Sequence, residues 1–254
     1  MAADFIESGV LRTAGFRHAF FTRRGGVSTG PYESLNFSRA VGDDAASVAA
    51  NVALAASVLG VGPKRVYYLS QVHGAVTHVL AGDETPEALL EREGDALASR
   101  DGTLACGVRS ADCVPVLVGD RASGAVVAIH AGWRGVVGGA VESGVRALSE
   151  LAGGGGSLVA AIGPHIRVGA FEVSEDVAAE LEAASPVGGV VERGGAKPHV
   201  SLARIVAGKL RALGLDDASI DDVGGCTVTE PDRFFSFRRN GKVGGRHLSA
   251  IVAR

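Results

Sequence analysis

The stretch that decides the fold is residues 103–135, TLACGVRSADCVPVLVGDRASGAVVAIHAGWRG. It holds three apolar runs in close succession, Thr103–Val108, Val114–Val118 and Ala125–Ile129. Runs of this length, rich in Val, Ile and Leu and bounded by turn residues, read as strands. Three strands with no helix between them argue against a strictly alternating doubly wound sheet and point to an α+β architecture. The third run delivers His130 to a glycine-rich turn, a placement expected to expose it. A helix is predicted from just after Trp133 toward Leu151. Strand ends of this kind are where a rigid scaffold presents functional groups.

Working outward, further strands are predicted at Phe16–Thr22, Val66–Leu69, Val76–Leu80, Leu158–Ile162, Gly225–Val228 and His247–Val252. Asp44 is placed to start a helix that ends near Leu59, with Gly60 to terminate it. Other helices are predicted from Ser174, and from Ser201 to Leu213 with Gly214 just beyond. Gly153–Gly156 reads as a helix-to-strand loop. No charge block or long linker divides the chain, so residues 1–254 are expected to form a single domain.

With 46% hydrophobic and 21% charged residues, 254 residues can bury a substantial core. A formal net charge of -3 lacks the basic excess of a general nucleic-acid binder. Asp4 and Glu7 stand where a signal peptide would carry positive charge, and no apolar run reaches bilayer length. A cytoplasmic protein with no membrane partner is expected. Three cysteines cannot build a disulfide framework. In a reducing compartment, a cysteine that matters is a metal ligand or a catalytic group. Cys106 and Cys226 read as small buried hydrophobes.

Three segments carry chemistry: Gln71-Val-His-Gly74, Ser110-Ala-Asp-Cys113 and His130-Ala-Gly-Trp-Arg-Gly135. Two histidines and one cysteine are a known zinc-ligand set with an open fourth position. Cys113 lies 40 positions after His73 and 17 before His130, unlike the tight pairs of zinc fingers. The spacing alone leaves a metal site and a set of satisfied loop residues both open. Seven histidines without a His-x-His pair do not supply the several copper sites of a multicopper oxidase.

With these three segments, Phe21–Tyr32 (FTRRGGVSTGPY), Ser34-Leu-Asn36, Val41-Gly-Asp-Asp44, Ile162-Gly-Pro164, Phe171-Glu-Val173, Cys226-Thr227 and Phe234–Arg239 (FFSFRR) complete a pattern. It resembles the YfiH family, also called the laccase-domain or multifunctional purine nucleoside phosphorylase family. The resemblance spans nearly the whole chain. It implies a single-domain layered α/β/β/α sandwich with mixed sheets. It implies zinc on His73, Cys113 and His130, with copper the ion of members described as phenol oxidases. It implies phosphorolysis of adenosine, inosine and S-methyl-5'-thioadenosine, and deamination of adenosine. Some members are linked to peptidoglycan precursor editing. The expected partners are purine nucleosides and phosphate, and the expected state is a monomer or weak homodimer.

Within that resemblance, Asp112 is the candidate proton shuttle beside the ligand Cys113, or else orients a ligand or caps a turn. Arg23, Arg134, Arg238 and Arg239 are the motif arginines available to phosphate, and a guanidinium fork suits phosphate well. Ser28, Asn36 and Gln71 are candidates to bind the ribose or base. Trp133 either stacks on a purine or packs against the following helix. Two positions depart from the family pattern. Asn51-Val52 replaces a common Asn-Arg pair, which leaves phosphate to another cation or weakens its binding. His165 stands where cysteines are frequent, and either lines the site or has no chemical role. Two readings compete: a cysteine hydrolase using Cys113 and His130, and a non-enzymatic, zinc-stabilised module that senses nucleosides.

Overall fold

Alternate side chains of residues 114–118 go to opposite faces, as the period of a strand requires. Val114, Val116 and Val118 pack against helices, while Leu117 enters a second core on the other face. Both faces of this strand are therefore covered, which explains its unbroken apolar sequence.

The computed structural model describes residues 2–154 and 156–254. Its strands are β1 (Phe5–Ile6), β2 (Arg17–Phe21), β3 (Val66–Tyr67), β4 (Thr77–Val79), β5 (Ala96–Ser99), β6 (Ala105–Ser110), β7 (Val114–Asp120), β8 (Val126–Ala131), β9 (Leu158–Ile162), β10 (Val191–Glu192), β11 (His199–Val200), β12 (Ile220–Asp222) and β13 (His247–Val252). Its α-helices are α1 (Gly9–Thr13), α2 (Ala45–Leu59), α3 (Pro86–Leu89), α4 (Trp133–Gly138), α5 (Ala140–Ala152), α6 (Glu175–Ala183), α7 (Leu202–Ala212) and α8 (Phe237–Asn240).

The strands form a five-stranded sheet, β1-β2-β13-β6-β3, a six-stranded sheet, β12-β9-β7-β8-β5-β4, and the small ribbon β10-β11. Both large sheets are mixed. β3 runs parallel to β6, and β4 parallel to β5, while β13 and β6 or β7 and β8 are antiparallel. Phe20, Cys106, Leu117, Ala128 and Ile251 fill the space between the sheets. α2 covers the outer face of the five-stranded sheet through Ala55, Ala56 and Leu59. α5 and α7 cover the six-stranded sheet through Val141, Val145, Leu148, Ile205 and Val206. The order helix, sheet, sheet, helix is the layered α+β sandwich expected. Each fully buried Leu, Val or Phe in these layers stabilises the fold by about 2 kcal/mol.

Helix boundaries follow the caps. Asp44 accepts from the Ser47 amide at 2.8 Å, and Gly60 closes α2 in the left-handed region at φ 64°. Ser201 caps α7 by accepting from Arg204 N. The helix expected from Trp133 to Leu151 is two helices, because Gly139 turns to φ 86° between α4 and α5. Gly225–Val228 is not a strand. Gly224 and Gly225 are both left-handed, and only Cys226 makes an isolated bridge, to His165. β5 was not foreseen from the sequence and lies inside the six-stranded sheet. The Gly153–Gly156 loop joins α5 to β9, with Gly155 outside the described residues. No helix among the described residues is long and apolar enough to cross a membrane.

Two buried histidines tie the fold to pH. His247 accepts the Phe235 amide at Nε2, and burial pushes it down to about 3. His165 donates from Nδ1 to the Gly163 carbonyl, and burial pushes it down to about 4. Both favour the neutral form below the unfolded value near 6.5. Their stabilisation is complete above pH 6.5 and is lost as pH falls toward 4 and then 3. Between pH 6.5 and 4.5 each is expected to withdraw about 2–3 kcal/mol. His247→Gln keeps an acceptor for Phe235, so its urea midpoint should fall less over that interval than the parent's. Equal slopes would refute this assignment.

Candidate metal centre

Two connections leave the five-stranded sheet and enter the six-stranded one, and each carries a candidate ligand. Residues 68–76 join β3 to β4 and hold His73, and residues 111–113 join β6 to β7 and end on Cys113. His130 lies near the end of β8, in step with Val126 and Ala128, whose side chains face the inter-sheet core. One ligand atom from each of His73, Cys113 and His130 lies within 4.8 Å of the others. The imidazole rings meet edge to face, with centroids 5.0 Å apart. His73 is exposed, Cys113 half-buried and His130 buried. The expectation that the turn exposes His130 is thus corrected: the strand end carries it inward, and the β3–β4 connection supplies the exposed ligand.

Asp95, just before β5, organises the set, and sequence reasoning missed it. Its carboxylate accepts from the amides of Val72 (3.3 Å), His73 (3.0 Å) and Gly74 (2.7 Å). It also accepts from His130 Nδ1 at 2.8 Å, and its backbone carbonyl accepts from His130 N at 2.7 Å. Burial pushes the Asp95 carboxyl up, but the His130 bond, the Gly74 and Val72 amides and the His130 charge outweigh it and hold it below the usual range. With Nδ1 committed to Asp95, Nε2 is the nitrogen His130 offers to a cation. Carboxylate-oriented imidazole is the arrangement common around protein-bound zinc.

The backbone at the site is constrained. His73 (φ 60°) and Asp112 (φ 94°) are the two non-glycine residues with positive φ among those described. Such conformations persist where surrounding contacts impose them. At His73 those contacts are the amide bonds to Asp95. At Asp112, Oδ1 accepts from Thr227 Oγ1 and Oδ2 from the Arg238 amide, both at 2.6 Å. Gly132 lies under the ligands: a Cβ there would sit 2.8 Å from His73 Cδ2 and 3.0 Å from Cys113 Sγ. Burial raises the Cys113 thiol, but the charge of His130 and hydrogen bonds from both histidines more than reverse that. Burial lowers His130, and the Cys113 charge with the Asp95 bond raises it overall. The apo pair is therefore driven toward thiolate and imidazolium. A thiolate and two imidazoles, with room for a fourth ligand, fit zinc.

A cavity of about 560 Å³ opens on these ligands. Of the residues singled out for substrate, it brings Gln71, Arg134 and Arg238 to its wall, with Asp112 and Cys113. Gln71 pairs with the Arg109 backbone through both its amide atoms. The other four do not line it. Arg23 donates to the carbonyls of Glu33 and Pro231, and Arg239 to those of Thr227, Val228 and Phe234. Ser28 donates to Asp43 and accepts from Asn51, while Asn36 is fully buried and bonded to Ser38 and Asp43. Val52 packs with the α2 core and His165 is buried elsewhere, so neither is a wall residue. Arg109 and Arg246 do line the cavity and carried no motif that marked them. Trp133 lines the cavity and packs on the helical core.

A protein-family model described as multi-copper polyphenol oxidoreductase laccase matches residues 17–254. The chain belongs to that family, the laccase-like group that includes YfiH. A purine nucleoside phosphorylase of Streptomyces coelicolor is 40% identical over 233 residues, 91% of this chain and 93% of that protein. One from Deinococcus radiodurans is 39% identical over 237 residues, 92% and 88% of the two chains. The crystal structure of YlmD from Geobacillus stearothermophilus superposes with a TM-score of 0.91 at 28% identity, covering 100% of this chain and 97% of that one. A Neisseria meningitidis protein of a family of unknown function gives 0.81 at 34% identity, covering 100% and 98%.

Removing Asp95 should loosen the ligands without deleting one. Asp95→Ala is expected to weaken zinc binding by about 10–100-fold, measured by competition with a chromophoric chelator. Gly132→Ala should act in the same direction by pushing His73 and Cys113 apart. Unchanged affinity in both would show that the three ligands set their own geometry.

Proposed function

We propose that this chain is a zinc-dependent purine nucleoside phosphorylase acting on adenosine, inosine and S-methyl-5'-thioadenosine, with slower deamination of adenosine. The observation that carries the reading is one cavity whose wall combines a His-Cys-His donor set, paired guanidinium groups and aromatic rings. The names of the relatives support the same reaction class. Among the described residues, His73, Cys113 and His130 are the one close group of three or more His, Cys, Asp or Glu donors. One such group suits a single ion, not a multi-copper centre.

Zinc, when held by His73, Cys113 and His130, supplies Lewis acidity in the cavity wall. The chain's own residues do the rest. Arg109 lies on β6 opposite Leu248 of β13, and Arg246 is two residues before Leu248. Arg246 immediately precedes β13, so the pairing of β6 with β13 brings the two arginines close together, where they form a cradle for inorganic phosphate. Trp133, Phe171 and Phe237 offer aromatic surface to a purine. Cradled phosphate adds an oxygen to ribose C1′ as the C1′–N9 bond breaks. The bonding pair leaves with the purine, which takes the proton phosphate brings. In this reading Asp112 is first a positioning group, fastening α8 to the loop of Cys113. Serving as a proton shuttle for deamination requires releasing Thr227 or Arg238, which makes deamination the slower activity.

Protein purified without affinity metal should contain about one zinc per chain by elemental analysis, and Cys113→Ala should lose zinc and activity together. Cys106→Ala and Cys226→Ala should retain both. Adenosine with phosphate should yield adenine and ribose 1-phosphate by chromatography. Arg246→Ala should raise the phosphate KM roughly tenfold. Adenine release that is equal without phosphate would remove the phosphorylase reading. Fully active metal-free enzyme, silenced by stoichiometric alkylation of Cys113, would install a cysteine hydrolase instead.

A further inference from the structure

The cavity wall carries two hydroxyl groups that the chain itself leaves without a partner. Ser38 and Ser110 both line it, and both are nearly buried, at 4% and 3% exposure. Ser38 spends its backbone N–H and carbonyl on Asn36, and Ser110 pairs through its backbone with His247. Neither hydroxyl bonds to another described residue. Among those residues, Glu142 Oε2 is the one side-chain oxygen or nitrogen both sealed from solvent and unpartnered. The two serine hydroxyls are therefore not sealed, and the space they open on is the cavity. Unpaired polar groups in a closed pocket are costly unless what fills the pocket satisfies them.

Both serines are fixed beside Arg246. Ser110 follows Arg109 on β6 and lies opposite His247, the residue after Arg246. Ser38 reaches the same place through Asn36, which is fully buried. Asn36 Oδ1 accepts from Ser38 N at 3.0 Å and from Arg246 N at 2.8 Å. Asn36 Nδ2 donates to the Ser38 carbonyl at 2.9 Å, and Phe37 N donates to the Arg246 carbonyl at 3.0 Å. The two hydroxyls thus border the phosphate cradle on backbone that cannot shift without moving Arg246.

A serine hydroxyl both donates and accepts, whereas a guanidinium only donates. The arginines suit phosphate oxygens, and the hydroxyls suit a group of their own kind, an alcohol of the sugar. Gln71 is not available to that alcohol, because both its amide atoms are held by the Arg109 backbone. Stereochemistry selects which alcohol it is. The purine leaves from one face of the furanose ring, so phosphate enters on the other. In a ribonucleoside the 2′-hydroxyl projects from that entered face, on the carbon next to C1′. Resting on the phosphorylase reading, we infer that Ser38 and Ser110 recognise the 2′-hydroxyl and select ribonucleosides over 2′-deoxyribonucleosides. One serine donates to the 2′-oxygen, and the other accepts from its O–H. A 2′-deoxy substrate leaves both serines unpaired behind it.

The test compares adenosine, 2′-deoxyadenosine and 3′-deoxyadenosine on the zinc-loaded full chain, first by calorimetry and then by phosphate-dependent turnover. Adenosine should bind at least about tenfold more tightly than its 2′-deoxy form. That ratio should hold as salt is raised, since bonds between neutral groups are not screened as charges are. Ser38→Ala and Ser110→Ala should each lower it, and the double variant should bring it near one. The ratio of adenosine to 3′-deoxyadenosine should stay as in the parent. Zinc content and melting temperature check that each variant is folded. Equal binding of adenosine and 2′-deoxyadenosine by the parent, or a ratio that the alanine variants leave unchanged, overturns the inference. Alanine variants that raise the phosphate KM and leave the ratio untouched overturn it too, and give the hydroxyls to phosphate. If both nucleosides are bound and cleaved alike, the phosphorylase reading stands alone. If neither is cleaved, that reading falls and the binding ratio still decides this one.

Discussion

The site depends on one buried carboxylate. Asp95 is almost fully removed from water, and a charge in that position persists only when donors surround it. Its donors come from two places far apart in the chain: the amides of residues 72–74 and the imidazole of His130. Satisfying the carboxylate therefore fixes the loop of one ligand and the ring of another in a single arrangement. His73 takes its left-handed backbone there, and His130 presents a defined nitrogen. Cys113 arrives by a separate route, on the turn between β6 and β7 that Asp112 fastens to Thr227 and α8.

Much of this was legible in the sequence, for local reasons. Asp44, Gly60 and Ser201 mark helix ends because capping and left-handed backbone are properties of a few adjacent residues. The strands around Val114–Val118 were legible because burial on both faces writes an unbroken apolar run. β5 was not, since Ala96-Leu-Ala-Ser99 is short, made largely of small residues and without the β-branched signature. Gly139 broke a helix whose apolar spacing continues across it. Gly225–Val228 has a strand's composition, but two left-handed glycines take its backbone out of any ladder.

At the site, the division is between motif and acceptor. The donor trio could be named because its residue types are rare and chemically distinctive. Arginines could not be sorted that way, since a guanidinium's role depends on which oxygens surround it in the fold. Arg239 and Arg23 belong to conspicuous motifs, yet they hold the carbonyls of irregular segments that no strand or helix satisfies. Ser28 and Asn36 likewise serve a buried network with Asp43 and Asn51. Arg109 and Arg246 have no motif, and become neighbours only through the pairing of β6 with β13. Asp95 escaped notice for the same reason, because its partners lie 21 to 35 positions away.

The two loop ligands ride on connections that cross from one sheet to the other. The distance between donor atoms is therefore also a measure of how far apart the sheets stand. Phe20, Leu117 and Ile251 set that separation from deep in the interior. Change in those side chains reaches the donor atoms as strain, through the two connections that carry them. Over evolutionary time the interior can drift only along paths that conserve its thickness, whatever its particular residues. Helices α2, α5 and α7, which contribute no residue to the cavity wall, carry no such restriction.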